Sequence, residues 1–136
     1  MTDFQRKTAR DYARTYAAGS DSPVDVVERA LQAIDETRTT NPSLSAFLAL
    51  RRENIRQQAD ASAQRIEQGQ PRSVLDGVPI AIKDEFDVVG YHTTAGTTFK
   101  GARIAETDAA LVARLRKAGA IIFGKTALHE IGLGGT

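Results

Sequence analysis

The chain has 136 residues, 41% of them hydrophobic, and a formal net charge of +1 from 18 basic and 17 acidic side chains. This length suffices for one modest core, and the balanced charge gives no field that would attract nucleic acid or anionic lipid. The chain has no cysteine, no apolar run near the roughly twenty residues of a membrane span, and no signal-peptide core in Met1 to Lys7. We therefore expect a cytoplasmic protein with no nucleic-acid or membrane partner.

The first half, residues 1–72, is predicted to be mainly helical. Apolar residues recur at helical spacing in three segments, which are expected to end near Ala18, Asn41-Pro42 and Gly69. Ser22 is expected to cap the second helix, with Pro23 at its first position. Residues 47–50 are apolar and predict a short strand. Arginines on the third helix are interrupted by acidic residues, which is typical of a solvated face rather than a nucleic-acid surface.

The second half, residues 73–136, alternates strands and helices. Val78 to Ile82 predicts a buried strand, a helix capped near Thr107 runs to Ala118, and Ala120 to Phe123 predicts the next strand. Such a βαβ unit pairs its strands in parallel and crosses over right-handedly. The predicted fold class is α/β, with N-terminal helices followed by the βαβ part of a mixed, largely parallel sheet. Because parallel sheets normally have more strands, the whole chain is expected to be the truncated N-terminal portion of one domain.

Lys83 is the candidate catalytic residue. It follows the apolar strand Val78 to Ile82, which would take its amine out of water. Desolvation favours the neutral amine, and a neutral lysine can act as a base. The alternative is a lysine whose stem lies along the strand end while its ammonium group stays in water. The local sequence leaves both interpretations open.

The sequence around this lysine resembles the amidase signature family. The resemblance rests on Leu75 to Asp87, which contains the motif Gly-Val-Pro-x-x-x-Lys-Asp, on Val88 to Gly96, and on the block from Asp108 to Glu130, in the family's order. Members of this family hydrolyse or transfer amides with a serine nucleophile, a second serine on a cis peptide, and a lysine base that matches Lys83. In the family pattern both serines lie beyond Thr136.

The resemblance implies a small-molecule amide substrate, and we expect no cofactor and no metal. It predicts that Gly132 and Gly134 line the acyl side of the substrate pocket, although glycines there would equally serve to turn the chain. The expected function is hydrolysis of amide C–N bonds in the full-length protein, with this chain inactive alone. There are two alternatives. In the first, the chain is part of the amidase component of a tRNA amidotransferase; in the second, it is a non-catalytic module that pairs through an exposed sheet edge. The protein partner expected for such a module is a second copy of this chain, in a homo-oligomer, or a complementing chain.

A phosphate-loop pattern is present but is not assigned a function. Gly119 to Thr126 fits Gly-x-x-x-x-Gly-Lys-Ser/Thr. A phosphate loop needs a strand before the first glycine and a flexible loop between the two, whereas here a helix precedes Gly119 and the four middle residues are apolar. We therefore predict a buried strand, with Lys125 as a charge at its end.

The remaining polar residues near Lys83 are also assigned no catalytic or metal role. Asp84, Glu85 and Asp87 are expected to be solvated loop carboxylates, because adjacent residues of an extended segment point to opposite faces. Glu85 stands where the family commonly has Asn, and its charge would favour the protonated lysine. The two histidines, at positions 92 and 129, have neither metal-ligand spacing nor a nucleophile motif beside them.

Overall fold

The computed structural model describes residues 7–40, 42–99 and 103–134. In chain order its elements are α1 (Ala9–Ala17), α2 (Pro23–Arg38), β1 (Phe47–Ala49), α3 (Arg52–Glu67), β2 (Pro79–Lys83), α4 (Ala110–Lys117), β3 (Ile121–Thr126) and a 3-10 turn (Glu130–Gly132). The predicted helices, strands and α/β class are confirmed. Ser22 caps α2 by accepting a hydrogen bond from the backbone of Asp25, with Pro23 at the first helical position. The predicted close of α2 at Asn41 falls on a residue outside the described ranges.

The three strands form one mixed sheet in the order β1-β3-β2. β2 and β3 are parallel, as predicted from the βαβ pattern, and β1 pairs with β3 in the antiparallel direction. Within the described residues, the outer edges of β1 and β2 have no strand partner. Unpaired edges expose backbone hydrogen-bonding groups that another chain could pair with.

Helices cover both faces of β3. On one face α2 and α3 pack against it through a cluster that includes Val27, Leu31, Ile55, Ile121 and Phe123. On the other face α4 packs through Val112, together with the buried residues Ile82, Val88, Tyr91 and Ile122. Burial of such side chains is the main favourable term in folding. Beside the first cluster, α2 and the sheet leave an apolar groove of about 560 Å³.

The start of α4 differs from the prediction. Thr107 was predicted to cap this helix, but the helix begins at Ala110 and no side chain caps its first turn. The chain before it is held extended: the Ala109 N–H donates to the Asp87 carbonyl oxygen at 2.9 Å. The Asp108 carboxylate accepts from the backbone N–H of Val89 at 2.9 Å. These bonds to the preceding loop delay the start of the helix.

The segment that fits the phosphate-loop pattern has a different geometry. Between Gly119 and Thr126 the backbone forms β3, whose residues Ile121 to Lys125 are all buried. Gly119 forms the turn after α4, where a Cβ would lie 2.5 Å from the Asp76 Cγ. At Gly124, which has a φ of +148°, a Cβ would lie 2.6 Å from the Ala49 carbonyl oxygen. Close packing therefore explains why both positions are glycine.

No helix within residues 7–40, 42–99 and 103–134 has both the length and the apolarity that crossing a membrane requires. The expected cytoplasmic location stays a prediction.

Candidate active site

Lys83 is the last residue of β2 and lies at the carboxyl end of the strand. Its side chain is 47% exposed, and its Nζ lies 3.6 Å from Oε1 of Glu85. The expectation that the amine is withdrawn from water is therefore wrong for this structure. The reason is strand alternation: Ile82 and Asp84 are buried, whereas Lys83 shares the open side with Ala81.

Gly132 lies directly beside this lysine. A Cβ at Gly132 would be 3.5 Å from the Lys83 Nζ and 3.0 Å from Oε2 of Glu85. The 3-10 turn that carries Gly132 thus approaches the amine closely, and a side chain at this position would contact the Lys83–Glu85 pair. Gly134 is placed differently, since a Cβ there would collide with the ring of His129. The predicted substrate-binding roles of both glycines stay predictions.

Directly after Lys83, Asp84 forms a buried ion pair with Lys125 of the neighbouring strand β3. Both side chains are almost inaccessible, at 2% and 1% exposure, and Asp84 Oδ1 lies 2.6 Å from Lys125 Nζ. The interpretation of Asp84 as a solvated loop carboxylate is wrong, and the interpretation of Lys125 as a strand-end charge is right about its position but did not include its burial. They missed that the carboxyl ends of adjacent parallel strands meet at one edge of the sheet.

A bulge in β3 explains why Lys125 points inward. Ile80 pairs with Ile122, but the next residue of β2, Ala81, pairs with Gly124, so β3 contains one extra residue between these pairs. The extra residue reverses the alternation that follows it, and Lys125 comes to lie opposite Ile82, on the buried face. Re-aiming a side chain in this way is a common effect of β-bulges.

The ion pair is fully hydrogen-bonded. Besides Asp84, Lys125 Nζ donates to the His92 carbonyl oxygen and to Thr93 Oγ1, each at 3.0 Å. Asp84 Oδ2 accepts from the Thr94 backbone N–H at 3.0 Å and from the Thr94 hydroxyl at 2.5 Å. Burial by itself would raise the pKa of Asp84, but the bonds from Lys125 and Thr94 outweigh it and hold this pKa below its usual range.

Two short segments are tied to the end of β2 by backbone hydrogen bonds. The Ala95 N–H donates to the Asp84 carbonyl oxygen at 2.9 Å, and the Ile131 N–H donates to the Ala95 carbonyl oxygen at 2.8 Å. Both Ala95 and Ile131 have positive φ, at 52° and 53°, which is uncommon for residues other than glycine. Strained backbone of this kind is often found at functional sites. These bonds connect the Lys83 strand end to the turn that carries Gly132.

The model of the Amidase family matches residues 25–136. The chain belongs to this family. It is 41% identical over 128 residues to a fatty acid amide hydrolase of Oryza sativa subsp. indica, covering 93% of this chain and 21% of that protein. It is 42% identical over 120 residues to a mitochondrial glutamyl-tRNA(Gln) amidotransferase protein of Drosophila pseudoobscura pseudoobscura, covering 88% of this chain and 23% of that protein.

Solved structures agree with this assignment. The native peptide amidase of Stenotrophomonas maltophilia superposes with a TM-score of 0.85 at 29% sequence identity, covering 94% of this chain and 26% of that enzyme. The chain therefore spans between a fifth and about a quarter of the length of these relatives. The fold of this Amidase-family segment is that of the corresponding part of the amidase signature enzymes.

A second ion pair, between the buried Asp76 and the partly exposed Arg65, lies at the opposite end of β2 in this Amidase-family chain. Asp76 accepts two hydrogen bonds from the Arg65 guanidinium, at 2.7 and 3.0 Å. It also accepts from the Ser62 hydroxyl and from the Arg72 backbone N–H. Burial would raise the pKa of Asp76, but the Arg65 and Arg72 bonds outweigh it, and the pKa lies below its usual value. This pair fixes the turn that leads into β2.

The other carboxylates near Lys83 have separate partners. Glu85 faces Lys83, whereas Asp87 pairs with Arg103 at 3.1 Å. Three neighbouring carboxylates thus point to three different cations, and the described residues contain no group of three or more His, Asp or Glu side chains placed to hold a metal ion. His92 takes part in the site through its backbone carbonyl group rather than its ring.

Proposed function

We propose that this chain contributes the lysine base of an amide-hydrolysing enzyme, with Lys83 in that role. The observation that carries the proposal is the position of the Lys83 amine at the end of β2, next to the turn of Gly132, in a chain of the Amidase family. The supporting resemblance includes the Gly-Val-Pro-x-x-x-Lys-Asp motif that ends on Lys83 and Asp84.

The proposed reaction moves protons between oxygen and nitrogen atoms. Lys83 Nζ accepts a proton from the bridging cis serine, which in turn takes the proton of the nucleophilic serine. The nucleophile then attacks the amide carbon, the C–N bond breaks, and ammonia or an amine leaves with a proton. Water resolves the acyl-enzyme and releases a carboxylic acid. Both serines belong to the part of the family pattern that follows Thr136.

None of the six serines in this chain lies in a nucleophile motif, and three of them have the following structural contacts. Ser22 is used as a helix cap, Ser62 is buried and donates to Asp76, and Ser73 donates to the Ala118 carbonyl oxygen. We therefore expect the 136-residue chain alone to hydrolyse no amide.

The test is a lysine replacement in an expressed protein that extends this chain to the length of its relatives. Lys83→Ala is expected to lower kcat for amide hydrolysis about 100-fold or more, because a general base of this kind contributes about 10²–10⁴ in rate. Lys117→Ala, at the end of α4 and away from the site, is the matched control and is expected to keep activity. Wild-type turnover by Lys83→Ala would refute the base role.

The substrate class is proposed from the relatives. A fatty acid amide, a peptide amide and glutamyl-tRNA(Gln) are the compounds that their names state. The hydrolase and the amidotransferase protein have nearly equal identity to this chain, so all three belong in the assay, the last with glutamine as the amide donor. Turnover of glutamine only in the presence of glutamyl-tRNA(Gln) would favour the amidotransferase alternative.

A non-catalytic role is the second candidate, and the unpaired outer edge of β2 favours it within the described part of the sheet. In this role the chain pairs with a second copy or with a complementing chain that carries the rest of the domain. Sedimentation of the purified chain, alone and with a separately expressed remainder, tests this candidate. A monomer that binds no remainder would argue against it.

A further inference from the structure

The proposed reaction leaves one buried lysine, Lys125, without a role. An ammonium group can donate three hydrogen bonds, and here all three are directed at protein oxygens: Asp84 Oδ1, the His92 carbonyl oxygen and Thr93 Oγ1. The side chain is 1% exposed. In this geometry Lys125 has neither a free lone pair nor access to a substrate, so any role in the reaction must be indirect.

Asp84, the partner of Lys125, directly follows Lys83 in the chain, and all of its polar groups are engaged. Its N–H donates to the Thr126 carbonyl oxygen at 3.1 Å, and its own carbonyl oxygen accepts from Ala95. Its carboxylate accepts from Lys125 and from Thr94. The backbone that leaves Lys83 is therefore held by β3, by the 94–95 segment and by the ion pair at once.

We propose that the Asp84–Lys125 pair is a positioning element, which fixes the backbone from which the Lys83 side chain extends and, through Ala95, the turn that carries Gly132. The inference rests on the proposed function of Lys83. The positioning role differs from a purely structural role of the Asp84–Lys125 pair, in which loss of the pair would lower stability but leave the reactivity of the Lys83 amine unchanged.

The chain provides a matched control in the Arg65–Asp76 pair. Asp76 is as deeply buried as Asp84, with a side chain 1% exposed, and its carboxylate is also fully hydrogen-bonded. The pair stands before the first residue of β2, at the strand end opposite to Lys83. Arg65 is 23% exposed, so only the carboxylate of this pair is buried as deeply as in the Asp84–Lys125 pair. Replacing the Arg65–Asp76 pair perturbs a buried carboxylate and its cation without touching the contacts of Asp84.

The first experiment measures the Lys83 amine directly in this chain. Trinitrobenzenesulfonate labelling followed by peptide mapping gives the rate at Lys83 relative to that at Lys117. For Asp84→Asn/Lys125→Met we expect this ratio to rise by about threefold or more, because a loosened strand end separates the amine from Glu85. For Arg65→Met/Asp76→Asn we expect the wild-type ratio.

If the double variant does not fold, Lys125→Arg replaces it. Arginine keeps the charge, but its planar fork cannot reproduce three contacts that converge on one nitrogen atom. We therefore expect a folded protein, as judged by circular dichroism, with a changed Lys83 labelling ratio. A folded Lys125→Arg protein with the wild-type ratio would contradict the inference.

The second experiment measures kinetics in the extended protein. With Asp84→Asn/Lys125→Met we expect kcat to fall about tenfold or more with KM within about threefold, since small displacements of a catalytic group mainly affect the chemical step. The Arg65→Met/Asp76→Asn variant should lose activity only in proportion to its unfolded fraction.

The outcomes separate the two proposals. If Lys83→Ala is inactive but both pair variants give the same labelling ratio and the same kcat per folded molecule, the positioning role is wrong and the base role stands. If Lys83→Ala keeps full turnover, the proposed function is wrong, whatever the labelling shows.

Discussion

Replacement of Lys125 by methionine provides the sharpest test of the buried ion pair. The change leaves the Asp84 carboxylate, 2% exposed, with Thr94 as its remaining hydrogen-bond donor. Removing one partner of a buried pair costs about 3–5 kcal/mol, because the other charge stays buried and uncompensated. Since domains of this size are stable by about 5–15 kcal/mol in total, Lys125→Met should lose a large part of the free energy of unfolding.

A double-mutant cycle separates pairing from packing. Urea unfolding at pH 7, followed by circular dichroism, is measured for Lys125→Met, Asp84→Asn and the double variant. We expect the double variant to be more stable than the sum of the single effects by about 2 kcal/mol or more, because it removes the orphaned charge.

The exposed pair Glu28–Arg56 is the control for this cycle. Its side chains are 47% and 43% exposed, and pairs of this kind contribute below about 1 kcal/mol. A coupling energy for Asp84–Lys125 no larger than that of Glu28–Arg56 would show that burial does not strengthen the pair, and would refute the reasoning.

Two further predictions concern acid stability and strand packing. In the folded chain the pKa values of Asp76 and Asp84 lie below the usual range. The contribution of these two carboxylates to the free energy of unfolding is therefore fully present above the pKa of unfolded Asp, about 3.9, and is lost as the pH falls through the lower pKa values of the folded chain. At pH values below about 4 the free energy of unfolding should therefore decrease as the pH falls, and it should decrease less steeply for Asp76→Asn than for the wild type. Equal pH dependence of the free energy of unfolding in the two proteins would contradict this. Gly124→Ala should destabilise the chain by more than Gly69→Ala in urea unfolding, because both have positive φ but only Gly124 would bring a Cβ against the Ala49 carbonyl oxygen. Equal losses would show that β1 can move away without cost.

Local signals in the sequence predicted most of the fold. The cap at Ser22 with Pro23 is a contact within a few residues, and the structure has it as predicted. The parallel pairing of β2 and β3 followed from the helix between them, which needs only the order of elements. The start of α4 was not predictable in this way, because it depends on Asp87 and Val89, about twenty residues earlier.

The predicted position of Lys83 at a strand end is confirmed, and its predicted withdrawal from water is wrong, whereas its catalytic role stays a prediction. Lys83 lies at a strand end beside the turn of Gly132, but the apolar run before it buries only one face of β2. Strand alternation assigns Ile82 and Asp84 to the buried side and leaves Lys83 on the open one. The average apolarity of the run therefore overestimated the burial of the lysine.

The position of Gly124 in the sequence is a signal that predicts the buried Asp84–Lys125 pair. A glycine inside a strand pattern often marks a bulge, and Gly124 stands in an otherwise apolar run. A bulge there reverses the alternation, so that Lys125 faces the side on which Asp84 must lie if Ile82 is buried. Gly124 and Lys125, which fit the phosphate-loop pattern, thus have related structural roles. Gly124 allows β1 to approach β3 and lies next to the bulge, and the bulge turns Lys125 toward the carboxylate of Asp84.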